Sequence, residues 1–450
     1  MFGEILQKFA ENSPVTVMVR GLLEHLLNAD QLDRWFESTR QKQYTRDILF
    51  SSLVALLLQV VLKTRASVNA AYRHADIQAS IVAVYEKLKG VELVTSQALV
   101  RHIAMETQAM IEHMAGGHPP LLPGFRVKYL DGNCLEASEH RLKVLRDTSA
   151  GPLPGKSLVV FDPQWGIATD VFPCEDGHAQ ERALLNAVAD TIQPNDVWVA
   201  DRNFCVLRFL FQIHRQRAFF ILRQHAKLPF KPLSELIFIG QSATGAVYEQ
   251  AIELTSAEGD VLRLRRVEVH LKTATRDGAM VLSIITNLAA DIADARVVAE
   301  IYRTRWGIET AFQKLEKHLH SEINTLGYPK AALFGFCLAL VAFNLYAVVM
   351  AALRAVYPND DIDQNLSEYY LAEEIGTTMT GMVMAIPDAE WNVFANASLI
   401  DVSERLLDLA RRVHLPTYLK TKRGPKKPRT PRTKFKGKPH VSTAKLLAGT

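Results

Sequence analysis

Apolar residues recur three and four apart along VTVMVRGLLEHLLNADQLDRWFE, residues 15–37, and again along RDILFSSLVALLLQVVLKTRASVNAAYRH, residues 46–74. That spacing predicts amphipathic helices, and the style holds to about residue 115 with few β signals. The stretch GGHPPLLPGF, residues 116–125, then places three prolines and three glycines in ten positions, which breaks helices and separates units. Beyond it the pattern shortens to β-branched and aromatic runs: RVKYLDGN to Asn133, SLVVFDP from Ser157, IATDVFP from Ile167, VWVAD to Asp201 and AFFILR from Ala218. Helical patterns at about 179–193 and 204–216 alternate with the later strands, as in a mixed sheet covered by helices. Residues 226–290 are again strand-like, with VLRLRRVEVHL and MVLSIITNL, and are expected to form a β-rich insertion. Residues 294–320 are expected to form one continuous helix. An uncharged run, AALFGFCLALVAFNLYAVVMAAL at 331–353, follows it, and a mixed helical region then extends to about 415.

The run 331–353 is long enough to span a bilayer. It contains Asn344 and Tyr346 and follows directly on a charged amphipathic helix, which favours the central buried helix of a large domain over membrane insertion. The opening MFGEILQKFAENSP lacks the basic, apolar, small-residue order of a secretory signal. Cys134, Cys174, Cys205 and Cys337 are scattered without a C-x-x-C pair, so neither a disulfide framework nor a structural zinc site is indicated. A reducing cytoplasm is the expected compartment.

Charge changes the picture only when it is divided along the chain. Residues 417–450 hold eleven Lys and Arg and no acid, leaving 41 basic against 48 acidic residues before them, a net −7 beneath an overall +4. A mildly acidic body with a basic end predicts a polyanion partner, nucleic acid first, met through a local patch. The proline-rich, like-charged segment TYLKTKRGPKKPRTPRTKFKGKPH is expected to be disordered alone, because it cannot bury enough surface to offset its chain entropy.

Candidate chemistry rests on three carboxylates. Asp131 closes the apolar run KYLD and Asp201 closes VWVAD, and acids at strand ends lie where α/β sheets bind ligands. Taken singly, either Asp reads equally well as the start of a turn. In IYRTRWGIETAFQKLEKHL, residues 301–319, Tyr302, Arg305, Glu309 and Phe312 fall in a helical stripe roughly 80° wide. Arg305 and Glu309, one turn apart, also fit an ordinary surface ion pair. The near P-loop AGPLPGKS is excluded, since Ala150 stands where the first glycine belongs and a strand follows instead of a helix.

Taken together, these residues resemble a DDE transposase of the insertion-sequence-four family, whose helix motif runs Tyr, two residues, Arg, three residues, Glu, six residues, Lys. Tyr302, Arg305 and Glu309 match it; Asp201, Arg202 and Phe204 match the family's second acidic motif, and Asp131 with Gly132 the first. The tail RGPKKP and HVSTAKLL is also similar to family members. The final Lys is replaced by Glu316; Lys317, about 80° from Glu309 on a helical wheel, is a nearer substitute than Lys314 at about 140°.

The resemblance implies an α/β fold, an RNase H-like mixed sheet with a β-rich insertion, flanked by an α-helical N-terminal domain and a helical C-terminal region with a basic tail. The boundaries expected are a DNA-binding domain at 1–118, a catalytic domain at 119–350 with its insertion at about 226–290, a helical region at 351–416 and the tail at 417–450. The implied chemistry is metal-dependent strand cleavage at mobile-element ends and 3′-OH transfer into target DNA. Asp131, Asp201 and Glu309 would hold Mg2+ or Mn2+, two ions in all. Tyr302, Arg305, Lys317, Arg202, Lys422, Arg423, Lys426 and Lys427 would contact DNA. The implied partners are terminal inverted repeats, target DNA and a second copy of the chain on paired ends, with no membrane. The alternative is a domesticated or defective transposase that only binds DNA. MVLSIITNL carries no Trp, so a hairpin route does not follow from the sequence.

Overall fold

The computed structural model describes residues 2–43, 47–136, 138–139, 141–275, 278–421 and 440–449. Its strands are β1 (Arg126–Leu135), β2 (Gly151–Leu153), β3 (Gly155–Asp162), β4 (Ile167–Cys174), β5 (Asp196–Ala200), β6 (Phe219–Arg223), β7 (Lys231–Pro232), β8 (Ile237–Gln241), β9 (Gly245–Thr255), β10 (Val261–Leu271), β11 (Val281–Thr286) and β12 (His440–Ser442). Ten of them form one mixed sheet in the order β4-β3-β1-β5-β6-β11-β10-β9-β7, with β8 also on β9. β1, β5 and β6 run parallel, and the remaining neighbours are antiparallel. The strand-like stretch expected as an insertion therefore extends the central sheet edge to edge, joined where Ile285 of β11 pairs with Leu222 of β6.

Both faces of this sheet are covered, so its central strands are apolar on both sides. Leu130, Trp198, Ala200, Phe220 and Leu222 face one core with the Leu185–Ala189 and Leu207–Arg215 helices. Alternating with them, Tyr129, Val197, Val199 and Ile221 face another, closed by the Ala295–Thr304 and Trp306–His318 helices. The alternation puts Asp131 on the face of Tyr129, beneath the Trp306–His318 helix.

The helices before residue 115 and those after 356 share one core around the Pro329–Val356 helix. By length and composition that helix could cross a membrane, yet 89% of its apolar window is buried inside the protein. Its buried amide serves the sheet: the Asn344 side chain accepts from the Ala168 N–H at 2.8 Å and donates to the Ala168 carbonyl at 2.9 Å. Ala168 lies on β4, the edge of the sheet, so Asn344 satisfies backbone groups that no further strand pairs. Arg101, on the Leu93–His113 helix, holds Asp170 of the same edge strand through two hydrogen bonds of 2.7 and 2.8 Å.

Three expectations need correction. Residues 294–320 are not one helix, because Arg305 separates Ala295–Thr304 from Trp306–His318. Backbone bonds from Arg305 N to Tyr302 O and from Ile308 N to Arg305 O close tight i to i+3 turns there. Asp131 does not end its strand: parallel pairing to β5 stops at Leu130, while antiparallel pairing to β3 continues to Leu135. The last residues are not loose either. β12 pairs in parallel with β2, the Ser442 hydroxyl donates to Asp176 at 2.6 Å, Lys445 lies 3.2 Å from the same carboxylate, and Ser442 and Thr443 are buried. The tail residues Lys422, Arg423, Lys426 and Lys427 lie outside the described residues.

Candidate active site

Register brings the first two acids together. Leu130 of β1 and Ala200 of β5 are partners in the parallel pair, so Asp131 and Asp201 are the next residues on neighbouring strands. Asp201 caps the short turn Arg202–Phe204, accepting from the Arg202 N–H at 2.5 Å. The Trp306–His318 helix lies over this end of the sheet and contributes Glu309.

Arg305 joins these elements. It is 4% exposed, donates from Nη1 to Asp131 Oδ2 at 3.0 Å, and donates from Nη2 to Glu309 Oε1 at 3.0 Å. The guanidinium lies between the rings of Tyr302 and Trp306, at 5.8 and 5.4 Å from their centroids. Burial opposes its charge, but Tyr302, Asp131, Glu309 and Asp201 together hold its pKa above the ordinary arginine value. Burial likewise pushes Tyr302 up to about 12, so the phenol stays protonated.

Asp131 is raised from 3.8 to about 6. Burial is the main cause; Arg305 and the Gly132 N–H pull the other way, and the Glu309 and Glu181 charges add to the rise. Glu181 went unnoticed in the sequence. It comes from the short turn Glu181–Leu184, and its carboxylate packs over Gly132, where a Cβ would collide with it. Asn203 Nδ2 donates to Glu181 Oε2 at 3.4 Å, tying the loop of Asp201 to the strand of Asp131.

Two clefts meet at Glu309. One, of about 390 Å3, is lined by Asp131, Asn133, Glu309, Gln313, Glu316 and Glu322. The other, of about 400 Å3, is lined by Asp201, Arg202, Arg223, Tyr302, Arg305, Trp306 and Glu309 among others. The first is acidic and the second is rich in guanidinium groups. Arg223, which closes β6, was also missed, although a charge ending an apolar strand is the signal that singled out Asp201. Lys317 is not brought to either cleft. It lines a separate one with Lys63, Tyr369 and Glu373, and its backbone carbonyl accepts from Lys63 Nζ at 2.7 Å.

Among the described residues no three His, Cys, Asp or Glu groups are gathered tightly enough to hold a metal as they stand. Two carboxylates nevertheless converge on one cation, Arg305, with Asp201 beside them. An all-oxygen donor set of this kind fits a hard divalent ion.

Residues 156–345 match the family model described as the transposase DDE domain. The matched stretch contains Asp201, Tyr302, Arg305 and Glu309 and begins after Asp131. No curated protein matches the sequence. Among solved structures the chain is similar to a cryo-EM structure of piggyBac transposase synaptic complex with hairpin DNA. Identity to it is 9% and the TM-score 0.37, over 83% of this chain and 82% of that one.

Proposed function

We propose that this chain is a DNA transposase that cleaves strands at mobile-element ends and joins the 3′-OH ends to target DNA. The observation that carries the reading is the convergence of Asp131 and Glu309 on Arg305, beside Asp201, within and adjoining the stretch that matches the transposase DDE domain. The sequence β4-β3-β1-β5-β6, antiparallel across its first three strands and parallel across its last three, supports assigning the centre of the sheet to the RNase H-like class.

On this reading Asp131, Asp201 and Glu309 would hold two Mg2+ or Mn2+ ions. Bound ions of this kind neutralise charge on the attacking and leaving oxygens of a phosphodiester. The chain's own groups do the rest. Arg202, Arg223 and Arg305 line the cleft of Asp201 and supply cations for backbone phosphates. Tyr302, protonated at neutral pH, offers a neutral donor beside them. The basic residues of 417–450 add sequence-independent phosphate contacts. Paired element ends call for two copies of the chain.

The test is to incubate the purified protein with a DNA fragment bearing the element's ends, with and without Mg2+, and to resolve the products on a denaturing gel. Asp131→Asn, Asp201→Asn and Glu309→Gln each change charge with little change of shape; each is expected to abolish cleavage and retain end binding. Near wild-type cleavage by any one variant would remove that residue from the set. End binding without cleavage by the wild-type chain would instead favour a protein that only binds DNA.

A further inference from the structure

Two helices end against each other where the N-terminal helices meet the helix that carries Glu309. The Phe50–Val61 helix is rooted among the former: Asp33 accepts from the Ser51 N–H at 2.9 Å and from its hydroxyl at 2.7 Å, and Phe50 stacks on Phe36. The last four carbonyls of a helix have no partner within it and must find one outside. Here the Leu62 N–H reaches Leu58, the Arg65 N–H and the Thr64 hydroxyl reach Gln59, and the Lys63 N–H reaches Val60. The fourth carbonyl, of Val61, accepts at 2.8 Å from the His320 N–H, which lies just beyond the end of the Trp306–His318 helix.

Lys63 returns the contact. Its ammonium donates to the carbonyl of Lys317, in the last turn of the Trp306–His318 helix, at 2.7 Å. Each helix presents the negative end of its dipole at this junction, and a cation between two such ends is favourable to both. The backbone nevertheless makes lysine a costly choice. Lys63 follows the C-cap Leu62 and has φ 60°, the left-handed position at which helices commonly end on glycine. A lysine there keeps the strain and supplies a side chain, and the bond that side chain makes is the one to Lys317.

The junction bears on Glu309 because the other end of its helix is held too. Arg305 ties the start of the helix to Asp131 and Glu309. Lys317 lies eight residues beyond Glu309, about 12 Å along the axis, so a hold at each end fixes how the helix lies over the sheet. We propose that Lys63 is a positioning residue for Glu309, holding the far end of its helix against the N-terminal helices. On the reading of Glu309 as an acid of the cleavage site, on which this rests, the N-terminal helices help to set where that carboxylate stands relative to Asp131 and Asp201.

Lys63→Gly separates positioning from stability, because glycine relieves the backbone while deleting the ammonium. The full-length variant should melt at or above the wild-type temperature. Its amide hydrogen exchange, followed by mass spectrometry, should be about threefold faster or more in peptides covering 311–318 and unchanged in those covering 295–304. Lys63→Arg restores a cation at the same backbone strain and should return exchange at 311–318 to the wild-type rate. In the cleavage assay Lys63→Gly should lower kcat about tenfold with KM for the DNA ends unchanged, since a small misplacement of a reacting group acts on the chemical step, and Lys63→Arg should recover it. Wild-type exchange at 311–318 in Lys63→Gly, no rescue by Lys63→Arg, a melting temperature below wild type or an unchanged kcat would overturn the proposal. A wild-type chain that cleaves no DNA would remove the functional reading alone, and the exchange rates would still decide whether Lys63 holds the helix.

Discussion

Asp131→Asn should stabilise the protein in the absence of metal ions while removing a carboxylate from the candidate site. Asp131 titrates at about 6 in the folded chain against 3.8 for a free side chain, a difference of about 2 units or about 3 kcal/mol. The sign follows from proton linkage. Between about pH 4 and pH 6 the folded state holds a proton that the unfolded state has released, so stability falls as pH rises through that window. Above it the whole of about 3 kcal/mol is missing, because the folded chain must keep a desolvated carboxylate charged near Glu309 and Glu181. Asparagine has no charge to desolvate, and Arg305 keeps its bond to Glu309. At about 2 cal/mol/K per residue the gain corresponds to a melting temperature about 3 °C higher for cooperative unfolding of the chain. Asp162, also raised to about 6 by burial, titrates in both proteins and cancels from the difference. Thermal melts in EDTA at about pH 8 and about pH 4.5 would show the variant more stable at the higher pH, with only about a third of that gap left at the lower. A variant that melts below wild type at the higher pH, or a gap that does not change with pH, would refute the reasoning.

Arg305→Gln removes the cation that Asp131 and Glu309 now share, so Mn2+ followed by electron paramagnetic resonance without DNA should bind about tenfold tighter, each unit charge at this range being worth up to about 4 kcal/mol; weaker Mn2+ binding would show that Arg305 organises the acids instead of competing for them. Asn344→Leu strands the Ala168 N–H and carbonyl in a buried setting and should cost about 3 kcal/mol in urea unfolding, and a loss below about 0.5 kcal/mol would show that water replaces the amide. Glu316→Lys places a cation in the cleft of Asp131 and Glu309 and should strengthen DNA binding several-fold under low salt, whereas Lys317→Ala should change it less than about twofold; the reverse order in a salt-matched filter-binding assay would count against the placement of both residues.

The strands around the site were legible because alternation survives in short apolar runs: KYLD, VWVAD and AFFILR all became neighbouring strands. Their neighbourhood was not legible. Asp131 and Asp201 adjoin through a parallel pairing across 70 residues of sequence, which no local pattern encodes. The same limit applies to the helices, where the boundary drawn at 116–125 marks a real change of texture, yet the helices before and after the sheet in sequence share one core around Pro329–Val356. Glu181 was invisible for another reason. It sits in a four-residue turn without periodicity, and only the bare Cα of Gly132 beneath it shows that room had been left for a carboxylate.

The helix motif shows how far a wheel can be trusted. Drawn as one regular helix from Tyr302 to Lys317, it put Tyr302, Arg305 and Glu309 on a common face, and the two ion pairs of Arg305 agree with that. The substitution of Lys317 for the missing lysine required a rotation between Glu309 and Lys317. The backbone does have an irregularity, but it lies at Arg305, before Glu309. A turn tightened there shifts the phase of everything after it together and leaves the angle from Glu309 to Lys317 at about 80°. Lys317 therefore faces Lys63 and Tyr369, and Glu316, seven residues from Glu309 and nearly in line with it, takes the cleft. The placement of that acid follows from the regular helix itself, and the cations that line the cleft of Asp201 include the arginines at the ends of β5 and β6, Arg202 and Arg223, whose placement depends on the sheet and not on the helix.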